Sequence, residues 1–554
     1  MKQFVSFMLC LLAFSAASAQ VTTSSMSGHV QDEQGAPVVG ALVLATHTPS
    51  GTEYSAIVDG TGNYRIMNMR SGGPYSVKIS MLGFQTVLNE GINIALGDNY
   101  VLDVTLPIES TDLDEVVVTG TRSSILNSDR AGVATNINNR QLNVLPTVSR
   151  SISDFTRLTP QAGNSGSFGG RDTRYNNVSI DGAAFAQRFG LSTSNNYPGG
   201  DAQPISLDAI QEISVNLTPF DIRQSNFTGA NINAVTKSGD NSYHATAYTF
   251  QRFKSMTGDR VQDATVANAK TTSRQTYGAS VGGPIIKNKL FFFINGELEY
   301  KSFLGNQWQP STDGVGSAEN KISQTTIADL EKVSDYLQKT YGYNPGAYQN
   351  FGNSAADNYK IMARIDWNIS KNHKLMVRYN DVKSQDDNLV SGASTPGGVR
   401  LNNAGRNSIN SISFANTGYK QENRVRSITA ELNSVFSPKV SNKLLASFTN
   451  INDTRKTDGD LFPFVDIMRL GSDGKTYEGY MSFGTEIFSF NNGVLNNTFN
   501  ITDNVTIGLG QHTLTAGLSY ENQHFSNGYM REGTTYYAYN SVDDFINNAK
   551  PAAF

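Results

Sequence analysis

The chain has 554 residues, far more than one small module needs, which points to two or three units or one large barrel. Lys and Arg number 44 against 48 Asp and Glu, a net charge of −4 with no block of one sign, which argues against a nucleic-acid-binding arm. Apolar residues make up 38% and charged ones 17%, while 50 Gly, 29 Phe and 24 Tyr stand beside 16 Pro and 2 Trp; this aromatic, turn-rich balance argues against an all-helical protein and for β structure.

The chain opens with Lys2, an apolar run from Phe4 to Ala17, and Ala17-Ser18-Ala19 before Gln20. This pattern predicts a secretory signal peptide over residues 1–19, with the mature protein starting at Gln20. Its apolar run is too short to span a bilayer, and no later stretch reaches the roughly 18 apolar residues a spanning helix needs. Cys10, inside the signal, is the only cysteine. Disulfides, cysteine-ligated zinc and cysteine nucleophiles are thereby excluded from the mature chain.

Residues 20–106 read as a small β-sandwich. Short segments at Gly28 to Val30, Val39 to Ala45, Tyr64 to Ile66, Tyr75 to Ile79 and Val101 to Leu106 are separated by glycine-rich turns. One turn, Asp59-Gly60-Thr61-Gly62-Asn63, lacks the acidic spacing and closing Glu of a calcium loop, so an ordinary turn is expected. Ser27-Gly28-His29-Val30, Gly35 to Ala41 and Asp59 to Tyr64 resemble the carboxypeptidase regulatory-like (transthyretin-like) domain. The resemblance implies an accessory module without peptidase activity. The six histidines, at 29, 47, 244, 373, 512 and 524, show no zinc-binding pair, so no metal, cofactor or catalytic group is expected and the protein is read as no enzyme.

A linker over 107–120 carries Asp114, Glu115, Val116, Val117, Val118 and Thr119, then Gly120. A β-branched run after acids is either a strand with edges free to join a partner's sheet or one more buried strand. Further on come Tyr175 to Gly182, ending Ile180-Asp181-Gly182, then Ile210 to Val215, then Gly229 to Gly239 with Asn233-Ala234-Val235-Thr236-Lys237-Ser238-Gly239. In this order the segments resemble the TonB-dependent receptor family of outer membranes, most closely its Oar-like branch with an N-terminal carboxypeptidase regulatory-like domain. The resemblance implies that Asp114 to Thr119 form the TonB-coupling strand, that residues 121–240 form an α+β plug, and that TonB is a partner.

Beyond residue 240 the alternation speaks for itself. Tyr359, Ile361, Ala363, Ile365, Trp367 and Ile369 form one face against Lys360, Arg364, Asp366 and Asn368, with Met362 alone breaking the pattern. Similar faces recur at 290–300, 373–379, 498–509 and 513–520. Apolar-out and polar-in segments of this length predict a transmembrane β-barrel with a wet lumen over residues 241–554. Short turns alternate with long polar stretches at 301–358, 380–423 and 450–497, as on the two rims of an outer-membrane barrel. Nine strands can be counted, and Tyr536 to Phe554 does not read as a tenth. An odd count leaves the chain outside, so a truncated barrel is expected.

The fold class expected is therefore all-β dominated: a sandwich, a plug and a partial antiparallel barrel, in the outer membrane of a Gram-negative bacterium. The function expected is energy-coupled import of a ligand, whether oligosaccharide, peptide or metal chelate. The alternative is a non-transporting surface protein that binds glycans or proteins. No ligand-binding residue is singled out, since Tyr197, Trp308 and Tyr341 suit an interfacial girdle as well as a sugar.

Overall fold

The computed structural model describes residues 21–108, 116–119, 134–147, 150–163, 166–185, 203–256, 258, 260–265, 271–392, 405–509 and 512–553. Residues 1–19, Asp114, Glu115 and Tyr197 lie outside them.

Eight strands build the sandwich: β1 (Ser24–Asp32), β2 (Leu42–His47), β3 (Thr52–Ile57), β4 (Asn63–Met69), β5 (Gly72–Ser80), β6 (Val87–Ile94), β7 (Asn99–Val101) and β8 (Val104–Leu106). Alternate residues of each strand point into one core, so that Val43, Ala45, Val77 and Ile79 of one sheet meet Met26 and Val30 of the other, all fully buried. One sheet has the order β4-β1-β7, with β8 also on β1. The other has the order β3-β2-β5-β6, and its far edge carries a ninth strand, β9 (Val116–Thr119). In the glycine-rich turn before β4, the Asp59 carboxylate accepts from the amides of Thr61 and Asn63 at 2.8 and 3.0 Å. That is the ordinary turn its sequence predicts.

A second, five-stranded sheet runs Ala134–Asn138, Ile210–Asn216, Asn231–Thr236, Asn177–Ile180, Ala183–Ala184 in spatial order. The strand Asn231–Thr236 is buried along its whole length, which only an element enclosed on both faces shows. What encloses it is a nine-stranded antiparallel sheet with every strand beside its sequence neighbour: His244–Phe253, Thr271–Ile286, Leu290–Phe303, Ser354–Asn368, His373–Asn388, Tyr419–Ser437, Val440–Thr457, Gly493–Leu509 and His512–Gly528. These are the nine segments that the alternation marks, most of them several residues longer. Among the described residues the first and last strands each pair along one edge alone, so the sheet does not close on itself.

On the outer face of this sheet Ile294, Leu298, Ile361, Ile365, Leu514 and Leu518 are among many exposed large apolar side chains. In water such a belt would be an aggregation hazard, whereas against lipid tails it is solvated. The inner face is not simply wet. Met362, the residue that breaks the alternation, is buried with Phe293, Val425 and Ile451 in the same core as Ile180, Ile213 and Ile232 of the five-stranded sheet. An apolar side chain aimed at the lumen is stable there because a packed domain fills the lumen at that level.

Short connections between barrel strands gather on one rim, and the sandwich sits against it: the Asn368 amide donates to Thr52 at 3.1 Å, Asn68 donates to the Asn442 carbonyl at 3.3 Å, and Lys371 pairs with Glu53 at 3.6 Å. The long connections fold together on the opposite rim. Strands Ile412–Ser413, Tyr477–Phe483, Phe464–Leu470 and Tyr536–Tyr539 make a four-stranded sheet there. Against it lies the helix Ile327–Tyr341, which buries Leu330, Val333 and Leu337 at helical spacing and is capped by Thr326. The segment after residue 536 is indeed no barrel strand: it pairs in parallel with Phe464–Leu470.

Candidate functional site

Two polar clusters join plug to wall, and a third place carries the segment Val116–Thr119. The first begins with a reversal between Asn177–Ile180 and Ala183–Ala184. Asp181 and Gly182 both take positive φ, 45° and 78°, which an Asp tolerates and a Gly adopts freely, so Asp-Gly is what this turn requires. The turn aims the Asp181 carboxylate at Thr236, whose amide donates at 2.9 Å and whose hydroxyl donates at 2.7 Å. Two barrel arginines close on the same carboxylate: Arg364 at 3.5 Å and Arg378 at 3.4 Å. Arg364 also donates to the Thr236 carbonyl at 3.0 Å and is held bidentate by Asp366, at 2.8 and 2.7 Å. Arg378 is fully buried and donates to Thr429 at 3.0 Å. Buried charges of this kind hold only as a set, since each desolvated ion depends on its partners.

The second join centres on Glu297 of the wall. It accepts from the plug's Ser206 at 2.8 Å and from Tyr248 at 2.6 Å, and pairs with Lys360 at 2.6 Å. Nearby, Asn380 of the wall donates to the plug's Pro204 carbonyl at 2.9 Å. Where the chain enters, Thr22 lies between Glu431 and Lys443 of the wall, within hydrogen-bonding reach of both.

The third place is β9. Of the six residues expected to couple the protein to a partner, Asp114 and Glu115 lie outside the described residues, and Val116 to Thr119 form β9. It lies on the sandwich, in parallel register with β6, and apart from both joins. The residues of the joins were visible in the sequence only as a plug motif, Asp181-Gly182, and as the polar side of an alternating strand, Arg364 and Arg378. Their pairing across more than 180 positions leaves no local signal. Among the described residues no group of three or more His, Cys, Asp or Glu could hold a metal ion.

A lipid-facing β wall around a packed inner domain, with a separate sandwich on its short-turn rim, defines an outer-membrane barrel protein with an internal plug. A family model described as an outer membrane beta barrel domain matches residues 235–307 and 301–551, and the chain belongs to that family. A carboxypeptidase regulatory-like domain model matches residues 25–107. The TonB-dependent transporter Oar of Myxococcus xanthus is 29% identical over an alignment of 302 residues that covers 51% of this chain and 27% of that protein. Solved structures similar in shape include the outer membrane transporter YddB of Escherichia coli, at 10% identity and a TM-score of 0.49, and the siderophore receptor PirA of Pseudomonas aeruginosa, at 10% and 0.43. The chain aligns to 76% and 72% of its own length on these two, and spans about half of theirs, 51% and 49%.

Proposed function

We propose that this protein imports a ligand across the outer membrane by TonB-coupled movement of the plug, with Asp114 to Thr119 as the coupling strand and TonB as the energising partner. The observation that carries this reading is the plug itself. It fills the lumen and is seated on the wall by the Asp181 and Glu297 clusters and by an apolar core that includes Phe293 and Met362, so a passage opens only when force moves it. The ligand belongs on the outer rim, where the long connections fold into one unit, and its class is an oligosaccharide, a peptide or a metal chelate. The signal over residues 1–19 exports the chain, and no enzymatic step is assigned to it.

Deleting residues 114–119 tests the reading. Cells carrying the deletion are expected to keep the protein in the outer membrane but to lose uptake from the medium, measured by mass spectrometry of what the parent strain depletes. Adhesion that survives while no uptake is ever seen in the parent overturns it in favour of a surface-binding protein.

A further inference from the structure

Sandwich, plug and wall meet around a cavity of about 80 Å³, room for one tetrahedral ion or several waters. The sandwich lines it with Arg70 and Ser71, from the turn between β4 and β5, the plug with Asp181 and Gln211, and the wall with Lys374 and Asn433. The main chain of that turn is pinned: the Arg70 amide donates to the Tyr54 hydroxyl at 3.4 Å, and the Arg70 carbonyl accepts from the Tyr75 hydroxyl at 2.7 Å.

The charges around the cavity do not balance. The three carboxylates that line it are all matched: Asp181 by Arg364 and Arg378, Asp366 by Arg364, and Glu431 by Lys443 at 3.4 Å. Glu53, on the adjoining β3, is paired with Lys371. Arg70 and Lys374 are left over, since among the described residues neither has a carboxylate within salt-bridge distance. Lys374 donates to the Lys371 carbonyl at 3.2 Å and lies 4.2 Å from the centre of the Tyr54 ring, which leaves its charge uncompensated. Two cations, one from the sandwich and one from the wall, thus line one cavity without a counter-charge. That arrangement costs free energy unless an anion joins them.

Two polar groups narrow the choice of anion. Ser71 is 3% exposed, and its hydroxyl has no hydrogen-bond partner. Asn433 donates its amide nitrogen to Glu431 at 2.7 Å, which fixes the amide and leaves its buried Oδ1 without a donor. The occupant must accept from two cations and a hydroxyl, and must donate once. Water serves Ser71 and Asn433 but leaves both charges unmet. Chloride and sulfate meet the charges but bring no proton to Asn433. Hydrogenphosphate has both the charged acceptor oxygens and an O–H.

We propose that this cavity binds a small oxyanion of the hydrogenphosphate class, which ties the sandwich to the wall beside the plug. The site goes beyond the import reading and does not depend on it. Enclosure by three units favours the free ion over a lipid headgroup.

The test is binding of inorganic phosphate to the full-length protein in non-ionic detergent, followed by titration calorimetry and by thermal unfolding at constant ionic strength. One phosphate per chain is expected, with a rise in unfolding temperature that neither sulfate nor chloride gives. Arg70→Met and Lys374→Met are each expected to weaken binding roughly tenfold or more, whereas Lys475→Met, an exposed change on the outer rim, leaves it unaltered. In chloride alone Arg70→Met is expected to unfold no earlier than the parent, because it removes an uncompensated cation; its weaker binding is then no loss of fold. Absence of phosphate binding by the parent overturns the site, as does binding that both methionine variants retain. An equal response to sulfate overturns the assignment to a proton-bearing anion. A response to phosphatidylglycerol in mixed micelles without one to inorganic phosphate overturns the free ion in favour of a headgroup.

Discussion

Asp181 is the residue on which the seat of the plug turns. Its carboxylate is the counter-charge for two arginines with almost no access to water, so Asp181→Ala strands both inside the protein. Breaking a buried pair from one side costs about 3–5 kcal/mol. The variant is expected to lower the unfolding temperature of the detergent-solubilised protein and to expose the plug to protease, while a Thr61→Ala change in the exposed turn leaves both unaltered. His47 makes a second residue-scale case. It is buried in the sandwich with Nδ1 2.7 Å from the Ser50 hydroxyl, and burial, with Arg70 adding repulsion, pushes its pKa from 6.5 down to about 3. The unfolded chain takes up the proton at higher pH than the folded one does. Its contribution to stability is therefore complete above pH 6.5 and falls away between 6.5 and about 3, by about 1.4 kcal/mol per pH unit. A fragment of residues 21–108 is expected to fold alone and to melt earlier as pH falls through that window, and His47→Gln is expected to flatten the dependence.

At the scale of elements, the barrel strands are the part most legible in sequence, because a two-residue period facing lipid on one side leaves its mark whatever the partner strands are. Ile365 stands at 46% exposure on that outer face. Ile365→Arg is expected to destabilise the inserted protein by about 2–4 kcal/mol if it lies near mid-membrane, read as a loss of the folded band on heating. The strands run 14–19 residues after the first, more than the 9–11 that cross a bilayer, and the surplus showed no apolar alternation to read because most of its residues are polar, including buried ones such as Ser384, Asn423 and Asp453. Met362 shows the converse. Its break in the pattern reports a packed plug rather than an error in the strand, a meaning that needs the three-dimensional neighbour. Strand β6 was hidden by Gly91 and by Asn89-Glu90, residues typical of turns, although they lie within the strand. The outer-rim sheet was hidden more deeply. Its core ion pair, Arg406 with Asp466 at 2.8 Å, joined by Ser482 at 2.6 Å and Tyr536 at 3.0 Å, brings together residues from two separate connections and from the segment after the last barrel strand. Composition read these stretches as polar loops, since each supplies only a fraction of the shared core.

Over the whole molecule the parts stand in series. The rim away from the sandwich gathers the long connections into one folded unit, the plug fills the wall beneath it, and the sandwich carries β9 on the other side. The account stands or falls with the main chain of β9, since addition to a partner's sheet uses backbone donors and tolerates changes of side chain. Val117→Pro removes one N–H and fixes φ, whereas Val117→Ala keeps the donor and loses only apolar bulk. The measurement is capture of the solubilised, membrane-extracted protein by the immobilised soluble part of TonB. The account predicts that Val117→Ala binds like the parent and that Val117→Pro binds roughly tenfold or more weaker, as the loss of one such hydrogen bond in a short ladder requires. Capture of Val117→Pro at the parent's level would contradict it.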